Sequence, residues 1–386
     1  MAPNDIRSVI DGFDDARARM QDMARTGHDF AGEGDAVKNR INALHPKRLS
    51  LTVSDVIAET DTSRTLRLTP DAGNLPPFLA GQYVNVFVNV NGVDTARPFA
   101  ISSAPQDRSH YDITVRKLPG GFVSPWLVEG LQIGAKISSS GPMGSFFVNP
   151  IHHGKDLVFL AGGSGVAPAI SMIRDLAARQ TGAKFHLIYG SRSPDDIIFE
   201  TELQELQQAN DFLTVTNVIS EPQEGFKGRT GFIDAAFMTE LCGDMSGKTV
   251  YLCGPPAMNE ACAAMLRDMG FPDKRLHIEA NGPPVDPTSR SGWPVGLSAE
   301  HPVTVTVKGH GSFETKAGEP LLNALEKAGY QIENACRSGE CSLCRIKVLS
   351  GEVFNPSEAK LRQSDRRFGW VHSCVAYATT DVEILI

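Results

Sequence analysis

The chain has 386 residues, 41% hydrophobic and 21% charged, which is enough for two to three domains that each bury a core and excludes disordered and fibrous classes. Its 37 Lys and Arg against 45 Asp and Glu give a net charge of −8 with no long basic run, which argues against a nucleic-acid partner. No stretch approaches the ~20 apolar residues of a membrane span, and the start MAPNDIRSVIDGFDD has neither the basic nor the apolar region of a secretory signal, so a cytoplasmic location is expected.

Residues 5–26 place Ile6, Val9, Ile10, Phe13, Met20 and Met23 three and four apart, predicting an amphipathic helix capped by Asn4 or Asp5 within a helical extension, residues 1–48. Packing onto the protein body is the favoured use of its apolar stripe; docking a partner is the alternative. Residues 49–150 hold short alternating runs such as LSLTVSDVIAE, SRTLRLTP, QYVNVFVNV, YDITVRKL and AKISSS, the pattern of an antiparallel β-barrel. Across 151–282 the runs DLVFLAGG, AKFHLIYG, FLTVTNVIS and KTVYLCGPP are almost continuously apolar and alternate with helical stretches, which predicts an α/β domain on a parallel sheet. The Pro- and Gly-rich residues 283–300 read as a linker, and 301–386 as a small mixed α+β domain ending in the strand TDVEILI.

Four of the seven cysteines crowd this last domain, which favours a metal site over a disulfide framework. Cys336, Cys341, Cys344 and Cys374 follow C-x4-C-x2-C-x29-C. Four thiolates satisfy two tetrahedral irons, and the tight loop at Gly339 turns backbone N–H groups toward the sulfurs. This is the plant-type 2Fe-2S spacing; a zinc site more often uses two C-x2-C knuckles, and inert buried thiols are the bland alternative. The domain resembles a plant-type ferredoxin throughout, which implies a β-grasp fold. Its ten basic and ten acidic residues make it neutral, whereas ferredoxins that find partners by long-range charge are usually acidic, so its electron donor is expected in the same chain.

Upstream, Arg97, Pro98, Phe99, Ala100, Ser102 and Ser103 lie in a run that resembles the flavin signature R-x-[YF]-S-x-x-S of the ferredoxin-NADP reductase superfamily. Arg97 can pair with a flavin phosphate, Phe99 can lie against the isoalloxazine, and the two serines offer donors. Gly120, Gly121, Val123 and Ser124 precede a helix-like SPWLVEGL, where a helix N-terminus suits a pyrophosphate, and GPMGSF at 141–146 looks like the family's barrel-closing loop. Each Gly-rich run alone would be an ordinary turn; their order and separation carry the resemblance. The reading leans to FAD over FMN, as in most relatives of this domain order. One departure stands out: relatives usually have Ser or Thr where this chain has Ala100, and that hydroxyl commonly hydrogen-bonds flavin N5.

Gly162, Gly163, Ser164, Gly165 and Pro168 follow the strand DLVFL and open a helix, the strand-to-helix turn that lets backbone approach a pyrophosphate. They resemble the family's GGxGxxP. Ser191 and Arg192 end the next strand, where relatives contact the adenosine ribose, and the choice between NADH and NADPH stays open. Cys253, Gly254 and Pro255 resemble the CGPxxM motif that sets a cysteine beside the nicotinamide, and Glu279 occupies the place of a family glutamate near the flavin, although the usual aromatic after it is absent. The resemblance thus implies Phe99, Cys253 and Glu279 as catalytic residues.

Together the motifs imply the reductase component of a Rieske-type oxygenase or demethylase. It would be an NAD(P)H-dependent iron-sulfur flavoprotein passing electrons through flavin and a 2Fe-2S cluster to a separate protein. A reductase serving another acceptor, such as a corrinoid demethylation system, would share every motif. A nonenzymatic relay subunit is the third reading, disfavoured by the 29-residue gap before Cys374, and a quinone reductase would carry a membrane anchor.

Overall fold

The computed structural model describes residues 12–26, 39, 41, 46, 48–280, 282–357 and 359–386. They belong to two compact units, Met1–Pro46 and Lys47–Ile386. In the first, helix α1 spans Phe13–Thr26 and opens with Asp14 and Asp15, which suit its positive end. The expected Asn4 or Asp5 cap and residues 5–11 lie outside the described residues. The side chains from Asp14 to Asp22 are exposed, Met20 by 68%.

The larger unit begins with strands β1 (Leu49–Thr60), β2 (Ser63–Pro70), β3 (Tyr83–Val90), β4 (Val93–Ala100), β5 (Tyr111–Arg116) and β6 (Lys136–Ser139), an antiparallel sheet in the order β4-β3-β6-β1-β2-β5. A bridge between Ile101 and Ile113 joins the end strands and closes it. The inward residues, among them Leu51, Val53, Leu66, Val84, Val86 and Ile113, are fully buried; each contributes roughly 1.5–3 kcal/mol.

Next come β7 (Asp156–Gly162), α2 (Val166–Arg179), β8 (Lys184–Ser191), α3 (Glu200–Ala209), β9 (Leu213–Ile219), β10 (Arg229–Thr230), α4 (Ala235–Cys242), β11 (Thr249–Cys253), α5 (Pro256–Asp268) and β12 (Leu276–Glu279). All six strands are parallel, in the order β10-β9-β8-β7-β11-β12. The order reverses between β7 and β11, so a crevice opens beyond their carboxyl ends, the place where doubly wound sheets bind ligands.

The last domain holds β13 (Pro302–Val307), β14 (Gly311–Lys316), α6 (Leu321–Lys327), β15 (Arg345–Ser350), β16 (Val353–Phe354), α7 (Gln363–Arg367), β17 (Trp370–His372), β18 (Tyr377–Ala378) and β19 (Val382–Leu385). Its main sheet runs β14-β13-β19-β15-β17, with β16 and β18 paired apart. The Pro-rich stretch before it is pinned at its middle to both neighbouring domains. Arg290 Nη1 donates to Glu260 of α5 at 3.0 Å. Trp293 packs on the ferredoxin-like core, edge-on to Phe354 at 5.2 Å. Among the described residues no helix is long and apolar enough to cross a membrane.

Candidate functional site

One cleft of about 660 Å³ opens where the three domains of the larger unit meet. Its walls come from the end of β4 (Arg97 to Ala100), from Gly121, Val123 and Ser124, from the turn after β7 (Gly162 to Gly165, with Pro168), from Cys253 to Pro256 after β11, from Glu279, and from Cys336 and Cys374. Most of the sequence-predicted residues are therefore brought together. Ser102, Ser103, Gly120, Ser191 and Arg192 are not among the lining residues.

Ser102 and Ser103 are buried. Ser102 Oγ donates to the Asp112 carbonyl at 3.1 Å, and Ser103 Oγ accepts from the Asp112 N–H at 3.2 Å. Their own carbonyls accept from α2, that of Ser103 from Ser171 Oγ at 2.8 Å and that of Ser102 from Arg174 at 2.6 Å. This pair fastens the barrel to the nucleotide domain. Arg192, 57% exposed, pairs with Asp196 at 3.2 Å, and Asp196 also holds Arg116 at 2.9 Å.

The residues present fit a flavin phosphate. The Arg97 guanidinium is part-buried, bonded to Thr95 Oγ1 at 2.6 Å and to the Ala96 carbonyl at 2.8 Å. Burial, and then the charge of Arg337, pull it down to about 10. Both guanidiniums share one carboxylate: Glu326 pairs with Arg337, lies 4.0 Å from Arg97 and accepts from Thr95 Oγ1 at 2.8 Å. Two cations against one anion leave a positive surplus on the cleft wall, which an anionic group would offset.

The nucleotide turn fits backbone-to-backbone packing. Gly163 has φ +53°. A Cβ on Gly165 would lie 2.0 Å from the Cys253 carbonyl oxygen, and one on Gly162 would lie 2.4 Å from Met258 Sδ. Glycine is required there because the turns after β7 and β11 touch, which also leaves the first N–H groups of α2 facing the crevice. Cys253 lies opposite both Ala161 and Glu279 in the ladder. Glu279 is recessed in the cleft; burial first, then the charges of Glu340 and Cys336, push its carboxyl up to about 8.

The thiols fit two irons. Among the described residues no three His, Cys, Asp or Glu side chains gather into a single metal site. Instead the thiols go two by two, Cys336 bonding Cys341 and Cys344 bonding Cys374, the division that two tetrahedral irons need. Cys336 Sγ accepts backbone N–H groups of Ser338, Glu340 and Cys341, each at 3.4 Å. The Cys341 thiol and these backbone donors pull the Cys336 thiol down, so the loop favours negative charge on that sulfur. Cys341 and Leu343 are exposed, whereas Cys336 and Ala335 pack on Tyr83 and Met143 of the barrel. A pair of backbone bonds between Tyr83 and Met143, 3.0 and 2.9 Å, fixes the 141–146 loop on β3.

Sequence reasoning missed Tyr83, Thr114, Arg116, Asn323 and Arg337, which also line the cleft. Arg337 sits inside the cysteine motif, so its position alone could have flagged it. Tyr83 opens a strand whose alternation marked it as part of the barrel, with nothing to mark Tyr83 as a site residue.

The comparisons agree with this arrangement. The chain matches the family described as "Oxidoreductase FAD-binding domain" over residues 50–148, "Oxidoreductase NAD-binding domain" over 159–264 and "2Fe-2S iron-sulfur cluster binding domain" over 305–379. It is 30% identical over 344 residues to the glycine betaine monooxygenase reductase subunit of Pseudomonas aeruginosa, covering 85% of this chain and 93% of that protein. It is 28% identical over 345 residues to the ferredoxin reductase component of 3-ketosteroid-9-alpha-monooxygenase from Mycolicibacterium smegmatis, covering 86% and 94%. Among solved structures, phthalate dioxygenase reductase superposes with a TM-score of 0.64 at 25% identity, covering 88% and 97%. The chain belongs to the ferredoxin-NADP reductase superfamily, in the group of oxygenase reductases that carry a C-terminal plant-type 2Fe-2S domain.

Proposed function

We propose that this protein is an NAD(P)H-dependent reductase that delivers single electrons to a separate oxygenase or demethylase component. The observation that carries the reading is the one cleft shared by the flavin motif, the nucleotide turns and two cluster cysteines. When bound, flavin supplies the conversion of a nicotinamide's two-electron donation into single electrons, and a 2Fe-2S cluster carries them singly.

In this reading residues 49–150 hold FAD, 151–282 hold the dinucleotide, and 301–386 hold the cluster on Cys336, Cys341, Cys344 and Cys374. Arg97 and Arg337 face the flavin phosphates, and Phe99 lies against the ring system. Gly162 to Gly165 receive the pyrophosphate. Cys253 positions the nicotinamide by packing, and Glu279 holds a proton near the reacting rings at neutral pH because its carboxyl is shifted upward. Arg192 shares Asp196 with Arg116, so the end of β8 keeps a positive surplus, and the choice between NADH and NADPH is left to the kinetics below. A cytoplasmic location suits cysteines spaced for a metal cluster rather than paired in disulfides.

Stopped-flow reduction with NADH and with NADPH, followed at flavin and cluster wavelengths, tests this. The nucleotide that reduces the flavin faster identifies the donor. The Cys344→Ser variant should keep flavin reduction within about twofold while losing reduction of a one-electron protein acceptor by at least ~100-fold. If both activities survive, the cluster is off the path and the reading fails.

A further inference from the structure

The cluster loop has two sides. Cys336 faces the flavin barrel, while Cys341 and Leu343, 47% exposed, face outward. A segment of chain brackets the outward side: the Lys360 N–H donates to the Gly339 carbonyl at 3.1 Å, and His372 Nδ1 bonds the same carbonyl at 2.7 Å. Between these two anchors lie α7 and the edge strand β17.

The charge of this segment departs from that of the chain. Between Cys344 and Cys374 the sequence has six basic residues (Arg345, Lys347, Lys360, Arg362, Arg366, Arg367) and three acidic ones, in a protein of net charge −8. Of the three acids, Asp365 is buried beneath Arg345, and Glu352 lies past the far end of β15. Lys360 is paired with Glu340. Arg362, Arg366 and Arg367 are exposed and have no carboxylate partner among the described residues. Beside them stand Phe368, 61% exposed, and the half-buried Trp370, which carries Arg345 on its face at 4.6 Å. Arginine and aromatic side chains around an apolar centre form the composition of an interface core.

We infer that α7 and β17, with Leu343 and Phe368 as apolar contacts and Arg362, Arg366 and Arg367 as a cationic rim, form the docking face for an electron-accepting protein whose own redox centre is rimmed by acidic residues. The inference rests on the chain being an electron donor to a separate protein. The net negative body and the local positive face would orient such a partner, so that it meets the exposed side of the cluster first.

The test uses the full holoprotein with three acceptors: ferricyanide, the acidic haem protein cytochrome b5 and the basic cytochrome c. Wild type should reduce cytochrome b5 fastest at low salt, with a rate that falls as salt is added. The Arg366→Glu/Arg367→Glu variant should lose on the order of tenfold or more with cytochrome b5 at low salt and lose most of the salt dependence. Its ferricyanide rate at high salt, where the anion's attraction to the face is screened, and its cluster absorbance should match wild type, and its cytochrome c rate should hold or rise. Should the charge reversal disturb the cluster, Arg366→Gln/Arg367→Gln should still slow cytochrome b5 by about threefold. Unchanged cytochrome b5 rates in a variant with intact cluster absorbance overturn the docking face. A wild type that reduces ferricyanide but neither cytochrome overturns the electron-donor reading on which it rests.

Discussion

Ala100 has no hydroxyl at the place where relatives carry Ser or Thr, and it lines the cleft beside Phe99. Thr114, a hydroxyl of the same cleft, is committed elsewhere: its Oγ1 bonds Thr65 at 2.9 Å and Ser102 at 3.0 Å. Replacing Ala100 with Ser should therefore restore a missing polar contact and speed flavin reduction by about fivefold, the equivalent of one hydrogen bond of about 1 kcal/mol; single-turnover kinetics with NADH measures it, and an unchanged rate would mean that another group already makes that contact. The residues legible in the sequence were those whose chemistry is tied to spacing, such as the cysteines, or to backbone shape, such as Gly162 and Gly165. Tyr83 and Arg337 were not legible, because each matters through a neighbour far along the chain. The hydroxyls of Ser102 and Ser103 bond Asp112 within the barrel while their carbonyls accept from α2, a division the motif does not reveal because a hydroxyl in a sequence carries no sign of which way it points.

Strands and helices followed their periodicity closely, with informative exceptions. β4 was not set apart as a strand because VDTARPFA lacks alternation and contains Pro98, yet it pairs with β3 along its whole length. The Pro-rich stretch was expected to be a loose connector, and composition gave no hint that Trp293 would anchor it. In the turn before β7, His153 Nδ1 bonds the Tyr251 hydroxyl of β11 at 2.5 Å, and its ring lies 4.1 Å from that of His277 on β12. Burial, then the neighbouring His277, pulls His153 down to about 4, and burial also lowers His277. Both histidines are therefore neutral in the fold at pH values where the unfolded chain would already bind protons. Stability is full above about pH 6.5 and is lost as pH falls toward 4. Thermal unfolding across that window should show a falling Tm, and His153→Gln should flatten the slope while lowering Tm at pH 8 through loss of the ring contacts. A wild-type Tm independent of pH over this range would rule the pair out as its cause.

At the scale of the molecule, the ferredoxin-like domain is bound to the barrel by polar contacts that no single-domain reading could foresee. Asn85 Nδ2 donates to the Asn334 carbonyl at 2.7 Å, and Glu326 serves both Arg337 of its own domain and Thr95 of the barrel. The order of domains was visible in the motifs. Their mutual fit was not, because interdomain contacts follow neither helical nor strand periodicity. Tyr83 and Met143, both barrel residues, cover the inner face of Cys336. A fragment containing only residues 301–386 would keep all four cysteines but lose that cover, and dioxygen would reach sulfur and iron from a direction closed in the intact chain. The fragment should therefore bleach in air several times faster than the whole protein, as read from decay of visible absorbance, and equal lifetimes would show that the barrel gives no protection. Where one domain completes the wall around another's metal, the order in which the two fold decides whether the metal survives exposure to air.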